Sequence, residues 1–158
     1  MMKRCLGPAF LLLACGGPRP AASPVPTTQA GATSLADQCL AEAAAPRQPR
    51  ADAPEKITLS HVLVRHKDLK RPEGATRSRG EACLRAREAR EKLLGGADFA
   101  EVVATYADGG DATAGKLGSV SRSDLDPTFA DAAFALGVGE LSHVVETPRG
   151  FHVIARSD

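Results

Sequence analysis

The chain has 158 residues, a net charge of +1, five Phe, one Tyr and no Trp. Length allows one modest domain plus extra segments. Without a basic surplus or aromatics for base stacking, the composition excludes a nucleic-acid binder.

The N-terminus reads as a targeting segment. Lys3 and Arg4 precede an apolar run over residues 6–13 that is too short to span a bilayer. It ends Leu12-Leu13-Ala14-Cys15-Gly16, which resembles a bacterial lipobox. The expectation is a signal peptide over 1–14, cleavage before Cys15 and lipidation of its thiol and new amine. Several acyl chains hold firmly where one does not. An ordinary secretory signal with an incidental Cys15 is the alternative. Gly16-Gly17 lacks the Asp beside Cys that marks inner-membrane retention, so the expected location is the outer membrane, facing the periplasm.

Residues 15–54, rich in Ala, Pro, Ser and Thr, read as a flexible tether. A short helix over 34–43 interrupts it, and Pro46 and Pro49 end that helix. Of four cysteines, Cys39 and Cys83 remain after Cys5 and Cys15 are set aside. An oxidising compartment permits a bond between them, and two free thiols are equally open. No CxxC or Cys/His metal spacing occurs, and neither a metal nor a cofactor is expected.

The folded part is expected over 55–158. Residues 57–64 make a first strand carrying His61, followed by a polar, basic loop over 65–79. Ser78 and Glu81 fit a capping box, and Ala82, Ala86, Ala89 and Leu93 form the stripe of the helix they open. Gly95-Gly96 stops it, and Asp98 caps a second helix with Phe99, Val102, Val103 and Tyr106 inward. After a Gly/Asp-rich loop, 117–121 is a short strand. Asp126-Pro127 starts a further helix through Phe129, Ala133 and Leu136. Residues 141–147 and 151–155 make a closing hairpin around Thr147-Pro148-Arg149-Gly150, and its second strand carries His152. The order is an α+β plan, with three to four helices around a small antiparallel sheet.

This set resembles the parvulin family of peptidyl-prolyl cis-trans isomerases. The matching segments are the two His-bearing strands, Leu117-Gly118-Ser119-Val120-Ser121-Arg122, and Phe129 to Leu136. The likeness covers roughly residues 56–156. It implies an isomerase of Xaa-Pro bonds that needs no cofactor, acting on extended or unfolded polypeptides; a small tethered domain is most simply a monomer. His61, His152 and Thr147 match the family's hydrogen-bonded network, and Leu117, Leu125 and Phe129 its proline pocket. Plain structural histidines and ordinary core are the alternatives. His66 and His143 lack such support and are read as surface residues.

Two departures bear on rate. The family usually places Cys or Asp after the second helix, where alignment puts Gly109. A one-residue shift favours Asp108, and a refolded loop would deliver Asp111. Val120 stands where an aromatic residue is common. The first loop carries Arg65, Lys70 and Arg71, resembling the phosphate-binding cations of the phosphoserine/phosphothreonine-proline branch. A phosphate site, a preference for an acidic residue before proline and a solvated basic loop are all open. A parvulin-like peptide-binding chaperone without strong catalysis is the competing function. A thiol- or metal-dependent hydrolase built on His61 and a cysteine has no supporting motif.

Overall fold

In the computed structural model, residues 33–109 and 115–158 are described. They fold as one compact unit, Ala32–Asp158. The elements are α1 (Leu35–Ala43), β1 (Lys56–Val64), α2 (Arg79–Leu94), α3 (Phe99–Tyr106), β2 (Lys116–Ser121), a 3₁₀ turn (Arg122–Asp124), α4 (Pro127–Phe134), β3 (Val145–Thr147) and β4 (Gly150–Arg156). The strands form one antiparallel sheet in the order β2-β1-β4-β3.

Strand alternation divides the core between two faces. Val62 and Val64 of β1 and Phe151 and Val153 of β4 pack with α1, α2 and α3. Ile57 and Leu59 of β1 and Ile154 of β4 pack with Phe129, Ala132 and Ala133 of α4. His61 shares its side of β1 with Ile57 and Leu59, and His152 shares its side of β4 with Ile154. Both imidazoles therefore belong to the α4 face.

Local signals set the helix starts. Ser78 accepts from the Glu81 backbone N–H, and the Glu81 carboxylate accepts from the Ser78 N–H in return. Ser34 and Asp37 repeat this capping box at α1. Asp126 accepts from the N–H groups of Thr128 and Phe129 and opens α4 ahead of Pro127. Each such cap is worth about 1 kcal/mol.

The folded part begins earlier than expected. The 33–54 stretch, assigned to a flexible tether on composition, packs onto the domain. Cys39 and Ala43 of α1 are buried in the core. A disulfide joins Cys39 to Cys83 on α2, with the Cα atoms 6.0 Å apart. The Arg50 N–H then donates to the Phe134 carbonyl at 3.0 Å. A covalent link and a few long-range contacts offset an ordering cost that composition alone suggested would win. Cys15 and Asp111 lie outside the described residues.

Candidate active site

The two histidines come from neighbouring central strands. Leu63 pairs with His152 and His61 with Ile154, so the imidazoles are diagonal neighbours on one face. Their Nδ1 atoms lie 3.1 Å apart, and the rings are nearly parallel at 16°. His152 Nε2 is 2.8 Å from the Thr147 hydroxyl. That hydroxyl also accepts from the Arg149 N–H at 3.1 Å.

The tight hairpin makes this possible. Thr147 pairs with Gly150, leaving only Pro148-Arg149 in the turn. Gly150 has φ +132°, and a Cβ there would sit 2.5 Å from the Val64 carbonyl oxygen. Only glycine lets the turn close against β1. On the other side, the His61 N–H donates to the Gly115 carbonyl at 2.7 Å. Gly115, at φ +75°, has no room for a side chain against the His61 carbonyl.

His152 is buried, and this burial, aided by the nearby charges of His61, Arg149 and Arg65, holds its pKa well below the ordinary value. It is neutral at physiological pH. A neutral ring carries one N–H donor and one acceptor nitrogen. Its two contacts, to His61 and Thr147, are thus coupled: one accepts when the other donates. Phe129, 5 % exposed, sets its ring edge-on to both imidazoles, at 81° to His61 and 85° to His152. The network is thereby walled from solvent on its α4 side.

A cavity of about 110 Å³ opens over this network. Leu117, Leu125 and Phe129 supply apolar walls, and His61, His152 and Thr147 the polar side. Its size suits one small side chain rather than a cofactor, whose pockets run to roughly 300–1,000 Å³. Arg149, Asp124 and Asp126 complete the lining; the sequence marked Arg149 and Asp126 only as turn and cap residues and gave no sign of Asp124. The position of Arg149 beside Thr147 in a two-residue turn was the available signal. Asp124 and Asp126 are capping residues, holding the N–H groups of Ser121 and of Thr128 and Phe129.

Asp108 stands elsewhere. Its carboxylate accepts from the Arg65 N–H at 2.7 Å and pairs with the Arg77 guanidinium. Its own N–H donates to the Leu63 carbonyl at 2.8 Å. It is not among the cavity-lining residues, and it fixes the start of the basic loop. Gly109 faces the Arg65 guanidinium across 3.8 Å of added-Cβ space.

The basic loop lines a second cavity, of about 330 Å³, with Arg65, Lys70 and Arg71 joined by Glu73, Pro148 and Arg149. Arg65 is largely buried and forms an ion pair with Glu73. Glu73 adopts φ +47°, an uncommon backbone for a non-glycine residue. Arg149 lines both cavities and so links them. His66, read as a surface residue, is instead 4 % exposed and packs against Phe151, because it continues the Val62, Val64 side of β1 toward the residue that Val64 pairs with. His143 is exposed and pairs with Glu42.

Comparison with known proteins agrees with this geometry. A model of the family described as "Rotamase: PPIC-type PPIASE domain" matches residues 61–158. The chain is 42% identical over 109 residues to the peptidyl-prolyl cis-trans isomerase pin1 of Schizosaccharomyces pombe, covering 64% of this chain and 62% of that one. It is 38% identical over 106 residues to the Chaperone SurA of Aromatoleum aromaticum, covering 66% of this chain and 23% of the relative. The solved structure of the peptidyl-prolyl isomerase ESS1 from Candida albicans matches with a TM-score of 0.59 at 28% identity, covering 70% of this chain and 66% of that one. The chain thus spans less than two thirds of the yeast relative and about a quarter of the chaperone. With an α+β fold of parvulin type and a family match over most of its length, the chain belongs to the PPIC-type peptidyl-prolyl cis-trans isomerase family.

Proposed function

We propose that this protein accelerates cis-trans exchange of Xaa-Pro bonds in exported or unfolded polypeptides by stabilising the twisted amide without covalent chemistry. One observation carries the reading: the coupled His61–His152–Thr147 chain forms the polar side of a small cavity whose other walls are apolar. Rotation about a peptide bond meets a barrier of about 18–20 kcal/mol, because conjugation is lost at the twisted state. A catalyst must hold the proline ring and favour the twisted form over both planar ones. Leu117, Leu125 and Phe129 hold the ring. The oriented imidazole and hydroxyl dipoles face the amide from a water-poor surround, where such dipoles act strongly.

The linked cations Arg65, Lys70, Arg71 and Arg149 favour an acidic residue before proline, either a carboxylate or a phosphate. Glu73 occupies part of that charge in the free protein, as a stand-in for such a group. The disulfide between Cys39 and Cys83 supports an oxidising compartment. With the lipobox around Cys15 we read a lipid-anchored protein, placed in the outer membrane facing the periplasm by Gly16-Gly17 after the cysteine, and as a small tethered domain most simply a monomer. Cys15→Ser is expected to release the protein from membranes, and continued membrane association would reject the anchor.

A second reading is a peptide-binding chaperone of low catalytic rate. The engagement of Asp108 by Arg65 and Arg77, away from the cavity lining, favours it. Exchange rates of Xaa-Pro peptides separate the two readings: only the enzyme shortens the exchange time below the uncatalysed tens to hundreds of seconds.

A further inference from the structure

A further cavity lies beside the site already described. It is a groove of about 730 Å³ between the 49–55 segment, the 3₁₀ turn and α4. Leu125 lines both this groove and the proline cavity. β2 and the turn after it run alongside, with Leu117 at the cavity and Ser121 at the groove. Those two residues are four apart, at most about 13 Å along a strand.

The groove is pinned in place, and two of its three charged lining residues are paired. Its far wall is pinned where the Arg50 N–H donates to the Phe134 carbonyl at 3.0 Å and the Ala53 N–H to the Arg50 carbonyl at 3.2 Å. Its rim cations are already neutralised. Arg50 binds Asp52 through two bonds of 3.0 and 2.9 Å, and Arg122 pairs with Asp131. The rest of the lining is mainly apolar, with Ala53, Pro54, Leu125 and Pro127 over the buried Phe134, and the exposed Glu55 is its remaining charged residue.

We infer that this groove is a subsite for the substrate polypeptide beyond the proline, taking apolar side chains about three to five residues after it. Two cavities adjoin the proline pocket. The basic one joins it through Arg149, and the apolar one through Leu125. If the basic cavity takes the residue before proline, the chain leaves past Leu125 and enters the groove. The direction of the chain rests on the isomerase reading above, whereas the groove and the Leu125 wall it shares with the pocket do not. An extended chain rises about 3.3 Å per residue, so the Leu117-to-Ser121 span corresponds to roughly four residues.

The test uses the full chain and three Glu-Pro peptides. The first ends one residue after proline. The second continues for five residues with Leu at the third and fourth. The third has Ser at those two positions. Binding is measured by calorimetry and exchange by NMR, for the unaltered protein and for Ala53→Glu and Ser123→Glu, which place a charge in the groove away from the proline pocket. The Leu peptide is expected to bind about tenfold tighter than the short one, the effect of burying one aliphatic side chain. The Ser peptide and both variants should lose that gain, while affinity and exchange of the short peptide stay unchanged. Equal affinity for short and Leu peptides, or a gain that survives both variants, would overturn the proposal. Equal affinity together with a dimer in sedimentation would place a second copy of the chain in the groove and overturn it as well. Should no peptide be accelerated, the isomerase reading fails, and the length dependence of binding still decides for or against the groove.

Discussion

The Nδ1 atoms of His61 and His152 lie 3.1 Å apart although 91 residues separate them in the chain. The contact follows from sheet register. β1 and β4 pair so that Leu63 faces His152, and the two histidines fall on one face, two residues out of step. Thr147, brought back by the two-residue turn, fills the other side of His152.

Acid should weaken the fold through His152. Burial holds its folded-state pKa well below the ordinary value near 6.5 that it regains on unfolding. Above about pH 6.5 neither state carries the proton, and the stability that depends on the neutral ring is fully present. As pH falls below that value the unfolded chain takes up a proton that the folded chain excludes. Stability then declines by up to about 1.4 kcal/mol per pH unit until the folded-state pKa is passed. Urea unfolding between pH 5 and 8 checks this, and His152→Phe should flatten the slope. An unchanged slope in that variant would assign it to other groups.

Phe129 has two roles, closing the α4 face of the core and walling the histidine pair. Phe129→Ala should cost about 3–5 kcal/mol of stability and weaken binding of proline peptides. A variant with unaltered stability and peptide affinity would remove Phe129 from both core and pocket.

Asp108 anchors the start of the basic loop. Asp108→Asn weakens the bonds to the Arg65 N–H and the Arg77 guanidinium, an expected loss of about 1.5–3 kcal/mol. The KM for peptides with Glu before proline should rise, while kcat for Ala-Pro peptides holds. An equal loss of kcat for every peptide in a fully stable variant would instead bring Asp108 to the reacting amide.

Glu73 holds Arg65 in an ion pair, and on the proposed reading an acidic substrate residue has to displace it. Glu73→Gln should therefore raise affinity for Glu-Pro or phosphoserine-Pro peptides relative to Ala-Pro by up to about fivefold, the range of a partly exposed ion pair. The gain should shrink with added salt. Equal affinities for all three peptides, before and after substitution, would reduce the loop to a solvated charge cluster.

Local signals in the sequence place the helices and the hairpin well. The capping boxes at Ser34 and Ser78, the Asp126-Pro127 start and the Gly150 turn each depend on residues within a few positions of one another. The placement of His61 and His152 on β1 and β4 was legible through their apolar flanks. Long-range events were not. The 33–54 stretch has the composition of a linker, yet Cys39 and the Arg50 N–H tie it to α2 and α4. His66 is polar and sits at the start of a basic loop, yet it keeps the side of Val62 and Val64 and is buried against Phe151. The capture of Asp108 by Arg77 spans 31 residues and has no local signature. The contribution of Arg149 to both cavities depends on how the hairpin faces the first loop, a relation between distant segments.

The most direct test of the central claim is the cis-trans exchange rate of short Xaa-Pro peptides with Ala, Glu or phosphoserine before proline, measured with the full chain. Acceleration of exchange, greater for Glu or phosphoserine than for Ala and lost in Phe129→Ala, is the result expected of a site built from the His61–His152–Thr147 chain and its basic neighbour. No acceleration of any peptide by a protein shown to be folded would contradict it, and would leave a domain that binds extended chains without turning their proline bonds.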